Sequence, residues 1–486
     1  MSNLSELLPT GGGQNAVDFV ASGTLSSGQT VALKTDGTVT AVASDAIPQS
    51  LGSTVTFENA STDDISATFD SNSNKVVVSY KDTANSSYGT SVVGTVSGSS
   101  ISFGTPVVFA SYAISRTSST FDSASNKVVV AFKYDLLTYG RAIVGTVSGT
   151  SISFGSWANF SFNMSQTPSA TFDSNSGKVV IAYQDAGNSN YGTAKVGTVS
   201  GTSISFGSAT VFNAGATFLN STSSTYDATA QKVVIAYGDS GNNGYGTAIV
   251  GTVSGTSISF GSETVFYSAG SNNTRSVTYD STNSKVVIAF SGAPSSYYGM
   301  AIVGTVSGTS ISFGTPTVFE SKSCYWSIGA TFDSNSNKVV IAYTEITTGP
   351  TATYALPCTV SGTSISFGSK SAFSNPFYFS DISPVFDSNS NKVVISYVGP
   401  SSNGVSNVFQ NEESNYTSFI GITSEAISDT ATGAVNVYGG INEAQTGLTI
   451  GSDYYVQADG SLSTTASAVK VGQAISATTI NMMDLT

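Results

Sequence analysis

The chain has 486 residues, a net charge of −13, no histidine, and three arginines among its 17 basic residues. That balance speaks against a nucleic-acid partner, because phosphate binding needs clustered Lys and Arg, and it removes the commonest general base and transition-metal ligand. No apolar run is long enough for a transmembrane helix, and the two cysteines, Cys324 and Cys358, make no disulfide framework.

Residues 1–16 open with MSNLSELLPT, which lacks the basic and apolar regions of a secretory signal. The expectation is a chain that folds in a cytoplasm and uses this stretch, a short apolar turn followed by glycines, as an anchoring segment. Within residues 17–45, GTLSSGQTVALKTDGTVTAV (23–42) reads as two strands joined by an Asp36-Gly37 hairpin turn.

Residues 46–415 are repetitive. GTVSGTSISFG stands unchanged at 145–155, 197–207, 251–261 and 304–314, with near-copies at 94–104 and 357–367. A second marker, aromatic-Asp-four residues-Lys-Val-Val, has its lysine at Lys75, Lys127, Lys178, Lys232, Lys285, Lys338 and Lys392. Each unit predicts four antiparallel strands, as in SATFD (169–173), KVVIAY (178–183), GTAKVGTVS (192–200) and SISFGSATVF (203–212). Such units recurring about every 53 residues predict β-propeller blades. The seventh unit lacks its own fourth strand, but SLGSTVTF (50–57) matches SFGSATVF (205–212) in register. The fold class is therefore all-β: a seven-bladed propeller whose last blade is built from both ends of the ring, leaving no open sheet edge. The repeated Asp and Lys flank tight hairpins, where Asp bonds turn amides and Lys pairs across the turn.

Residues 416–486 contain GLTIGSDYYVQADGSLST (447–464), again strand, Asp459-Gly460 turn, strand. Ring closure brings the two end segments together, so they are expected to form one small β-domain with the propeller inserted into it. FVASGTLSSGQTVALKTDGTVTAVA (19–43), FIGITSEAISDTATGAVNVYGGI (419–441) and VGQAISATTI (471–480), with 447–464, resemble modules of tailed-bacteriophage virion proteins, especially fibre-like and decoration-like proteins of marine phages. The resemblance covers roughly a quarter of the chain. It implies a tail-fibre or capsid-decoration protein located in the virion, with other virion proteins as partners through the terminal β-domain, and it is compatible with a homotrimer.

Loops joining strands one and two, and three and four, are nearly uniform and lie on one face of the disc. The other loops diverge from blade to blade and lie on the opposite face, where selection can shape a site. Candidate ligand-binding residues there are Tyr325, Trp326, Phe377, Tyr378, Arg116, Arg275 and Tyr267, with Tyr112 and Phe218 in equivalent inter-blade loops. Rings beside Ser, Asn and Arg suit a host-surface glycan; the bland alternative is that they plug gaps between blades. Asp185 and Asp239 sit in polar loops that suit turn capping better than Ca²⁺, and no cofactor or membrane is implied. A sialidase-like glycosidase is the enzymatic alternative; against it, the arginines Arg116, Arg141 and Arg275 are dispersed and no Ser-x-Asp-x-Gly-x-Thr-Trp motif is present. A free lectin or adhesin is the third reading.

Overall fold

The computed structural model describes residues 15–483 apart from 35, 43–46, 219–220, 270–271, 293–296, 325–326, 347–351, 375–380, 413–417, 458 and 468, and backbone alone for 272–275. The chain divides into two compact units, Ser50–Asn411 and a second assembled from Met1–Gln49 with Glu412–Thr486.

The larger unit is a seven-bladed β-propeller. In the third blade an inner strand (Ser169–Asp173) pairs with a second (Lys178–Asp185), and that with a third (Tyr191–Ser200). The outer strand, read from sequence as one segment, is two: Ser203–Phe206 and Thr210–Ala216 both pair with the third strand. The break falls at Gly207, where a Cβ would lie 1.9 Å from the Thr256 carbonyl oxygen of the next blade. The strand bends there because the neighbouring turn occupies the space.

The hairpins follow from local chemistry. Asp173 accepts the Asn175 and Ser176 amides at 3.0 and 3.1 Å, and Gly177 closes the turn at φ +63°. Asp70, Asp122, Asp227, Asp280, Asp333 and Asp387 likewise accept turn amides. A structural role thus accounts for the repeated aspartates.

In the first two blades the crossover is strand rather than loop. Val55–Asp70 and Val107–Asp122 each run unbroken from the outer position of one blade to the inner position of the next. Tyr112 and Arg116, expected in a loop, therefore lie within a strand, and Arg275 lies within Asn272–Asp280. Register shifts at these points absorb the change of direction that a loop would otherwise make. Closure occurs as expected: Asn403–Gln410 pairs with Ser50–Leu51 and with Val55–Asp70, so the amino-terminal strand completes the last blade.

Neighbouring blades are joined by two repeated devices. Outside, a phenylalanine of one outer strand packs on the second-strand aromatic of the next blade. The seven pairs, from Phe57–Tyr80 to Phe373–Tyr397, have centroids 5.0–5.3 Å apart. The glycines that follow Tyr88, Tyr139, Tyr191 and Tyr298 make room: a Cβ at Gly192 would lie 2.3 Å from Phe212. Inside, an inner-strand serine accepts an amide of the next blade. Ser66, Ser118, Ser169, Ser223, Ser276 and Ser383 do so at 2.8–3.1 Å, from Ser119, Ala170, Ser224, Val277, Ala330 and Ala67. The seventh position holds Gly329, and the residue facing it is Pro384, which has no amide to donate.

The smaller unit has two five-stranded sheets. One orders Ala16–Val20, Thr432–Val437, Phe419–Thr423, Thr30–Leu33 and Val39–Ala41, so strands from both ends of the chain share it. The other, containing Asp453–Val456 and Leu462–Ser463, is wholly carboxy-terminal. Ala32, Phe419 and Ile422 of the first pack with Tyr454, Val456 and Val471 of the second. Both Asp-Gly turns form, with Gly37 at φ +84° and Gly460 at φ +81°.

Candidate functional site

The inner strands all begin at the divergent face. Six residues before each repeated Asp, the chain places Asp64, Arg116, Thr167, Ser221, Thr274, Ser327 and Asp381 in successive blades, the last preceding the first around the ring. A cavity of about 470 Å³ opens at this end of the channel, lined by Asp64, Arg116, Thr167, Ser327 and Asp381 together with Asp63, Lys81 and Lys133. Ile65, Ile328 and Ile382 supply its apolar wall.

The charged residues fall in three consecutive blades. Asp381, Asp64 and Arg116 line this cavity side by side, one from each blade. Asp64 and Arg116 are left-handed, at φ +52° and +60°, whereas Thr167, Ser221 and Ser327 of other blades are not. The Thr117 hydroxyl donates to the Asp64 carbonyl oxygen. Lys81 Nζ lies 3.4 Å from Asp63 Oδ2 and 3.8 Å from Asp64 Oδ2. Burial, followed by the charges of Asp64 and Asp63, pushes Asp381 up to about 7. Asp64 is raised too, by burial and then by Asp63, against the pull of Arg116 and Lys81.

A second cluster lies in the second blade. Arg141 is buried with its guanidinium 3.6 Å from the Trp157 ring centroid, 4.2 Å from Tyr134 and 5.1 Å from Tyr112, and its Nε donates to Asn159 at 3.2 Å. Trp157 remains 44% exposed, so one part of a rigidly backed indole faces solvent. Between the fifth and sixth blades, Lys370 of the sixth bonds Glu320 of the fifth at 2.6 Å and Glu345 of its own blade at 3.3 Å, and Lys322 of the fifth pairs with Glu345. That network is internally compensated and ties the fifth blade's outer strand to the sixth blade.

Of the residues singled out from sequence, Arg116 lines the cavity. Tyr267 does not stand free: its ring is 5.1 Å from Phe290 and fills the space beside Gly292, so it plugs a gap between blades. Phe218 similarly covers Gly244. Tyr325, Trp326, Phe377 and Tyr378 lie outside the described residues, as does the side chain of Arg275. Asp185 and Asp239 cap short 3-10 turns, accepting from Gly187 and Gly241 at 3.0 and 2.9 Å. Among the described residues no cluster of three or more His, Cys, Asp or Glu could hold a metal. Cys324 and Cys358 are free and buried, and burial pushes both thiols up, away from reactivity.

Sequence reading missed Asp64, Asp381, Lys81 and Trp157. The signal was present: aligning the seven copies at the sixth residue before the repeated Asp shows three charged residues at a position otherwise Ser or Thr.

No protein family matches the chain, and no curated protein does. Solved structures of similar chain path include AofleA from Arthrobotrys oligospora, at 10% identity and TM-score 0.42, covering 70% of this chain and 94% of that one. The K499G mutant of NanB sialidase from Streptococcus pneumoniae has 10% identity and TM-score 0.45, covering 77% and 72%. SapL1 lectin in complex with alpha methyl fucoside has 12% identity and TM-score 0.36, covering 65% and 97%. At these levels none transfers a residue or an activity to this chain.

Proposed function

We propose that the protein is a non-enzymatic component of a phage particle, a tail fibre or capsid decoration whose propeller presents its divergent face to host-surface glycans. The observation that carries the binding reading is the channel-mouth cavity. It offers what a sugar needs: acceptors in Asp63, Asp64 and Asp381, donors in Arg116 and Lys133, hydroxyls in Thr117 and Thr222, and isoleucines for the ring C–H face. The virion assignment rests on the resemblance of the terminal segments, which gives the smaller unit the role of attachment to other virion proteins. An antibody-labelled micrograph of the particle tests that half: no label on particles would remove it.

For the binding half, a glycan array probed with the intact chain is expected to return a ligand. Arg116→Ala is then expected to weaken it by about ten- to a hundredfold, the value of a lost charge-assisted hydrogen bond. An array without a hit would remove the carbohydrate reading, and unchanged affinity in R116A would move the site elsewhere. A second reading, glycoside hydrolysis, is favoured by one feature: two neighbouring carboxyls, one of which holds its proton near neutrality. It requires turnover of a fluorogenic glycoside that Asp381→Asn abolishes; an inactive wild type would exclude it.

A further inference from the structure

We propose that the groove between the first and second blades, at its outer end, is a site for a carboxylate-bearing sugar, which Arg141 pairs with and Trp157 stacks against. Neither residue lines the channel-mouth cavity, and the site does not depend on that cavity.

The repeat supplies its own comparison. Arg141 pairs across the sheet with Phe132 and Asn159, the register that Tyr354 has with Tyr343 and Ala372 in the sixth blade. Trp157 immediately precedes Ala158–Ser161, as Lys370 precedes Ser371–Ser374. Cation and ring have exchanged places. Lys370 Nζ lies 4.0 Å from the Tyr354 ring centroid, and the Arg141 guanidinium lies 3.6 Å from that of Trp157. The two grooves differ in what neutralises the cation. Lys370 meets Glu320 of the fifth blade and Glu345 of its own. At the registers of those two carboxylates the groove of Arg141 has Ala110 and Tyr134. Among the described residues no ion pair reaches Arg141, although it is only 7% exposed. A buried cation without an anion is costly, and a ligand carboxylate would supply what Glu320 and Glu345 supply in the other groove.

The neighbours of Arg141 fix the class of ligand. Its Nε is taken by Asn159 at 3.2 Å, and the remaining fork of a guanidinium is the part that grips a carboxylate in bidentate fashion. Tyr134 and Tyr112 hold the group in place, with ring centroids 4.2 and 5.1 Å away. Trp157, backed by that cation, stays 44% exposed. The other six blades have Thr, Pro, Ala, Glu or Lys at its position, so the platform belongs to this groove alone. A flat, rigidly backed indole beside a carboxylate receptor suits a uronic acid: the C–H face of one sugar unit covers the ring, and the carboxylate of that unit or the next turns to the arginine.

The test is calorimetric titration of the intact chain with a tetrasaccharide of glucuronate and with the glucose tetrasaccharide of the same linkage. The glucuronate form is expected to bind tighter by about ten- to a hundredfold, the value of a charge-assisted pair. Trp157→Ala alters an exposed residue and is expected to weaken its binding about tenfold. Tyr134→Glu places a carboxylate at the register where the sixth blade has Glu345. It is expected to occupy Arg141 and to abolish the preference for the glucuronate form, in a chain whose unfolding midpoint shows that it is folded. Equal affinity for the two tetrasaccharides, no binding of either, unchanged glucuronate affinity in W157A, or a preference that survives in folded Y134E would each overturn the proposal. The channel-mouth reading is judged separately, through Arg116→Ala.

Discussion

Phe57→Ala is expected to destabilise the propeller by about 3–5 kcal/mol, the usual cost of removing a buried phenylalanine from a packed core. Phe57 is 6% exposed and lies between Tyr80 (5.2 Å between centroids) and Phe103 (5.5 Å) of the first blade. Its strand belongs to the last blade, where it faces Gly404 so closely that a Cβ on the glycine would lie 2.2 Å from the ring. One side chain therefore joins the two ends of the ring. Phe212, between Tyr237 and Phe260, has the same surroundings in the middle of the chain. Phe212→Ala should cost a similar amount in denaturant unfolding. Phe57→Ala should in addition free the outer strand of the last blade and expose a pairing edge, seen as concentration-dependent self-association. A loss below about 1 kcal/mol in F57A would mean that the closing strand contributes little to the seam.

The second large effect is a rescue. At Gly329 a Cβ would lie 2.3 Å from Pro384 Cδ and 2.9 Å from the Ile382 carbonyl oxygen, so Gly329→Ser alone is expected to cost about 2–3 kcal/mol in strain. Pro384→Ala alone restores an amide with no acceptor opposite and is expected to cost about 1–2 kcal/mol. Together the two changes recreate the serine–amide pair found at the other six inner positions, exemplified by the Ala330 amide on Ser276 at 2.9 Å. The double variant should be close to wild type, a coupling of about 2 kcal/mol or more in a double-mutant cycle. Additive losses would show that the serine ring does not stabilise the channel.

Much of the fold was legible because each blade restates it. The spacing of Asp173 and Lys178, the Gly201 turn and the register of Phe212 recur often enough to fix strand order, blade number and the donation of residues 50–57 to the last blade. The break at Gly207 was not legible, since its cause is the Thr256 carbonyl of the next blade, a contact across 49 residues of sequence. The serine ring escaped for a different reason: Ser66, Ser118 and Ser169 stand among many other serines, and only the paired exception at Gly329 and Pro384 sets them apart. The site was read less well. Unusual aromatic residues drew attention to the crossovers, yet Tyr267 proved to be packing. Asp64 and Asp381 stand out only when the seven copies are aligned, and they share one cavity because the ring brings the two ends of the propeller together.

The proposed function divides the propeller between a uniform, structural face and a divergent face that binds. Hydrogen exchange on the intact chain, with and without the glycan that the array identifies, tests it directly. Protection on ligand binding is expected at segments 63–65, 115–117 and 381–382, at the channel mouth. Protection instead at the uniform turns, such as residues 174–177 or 201–202, would contradict it.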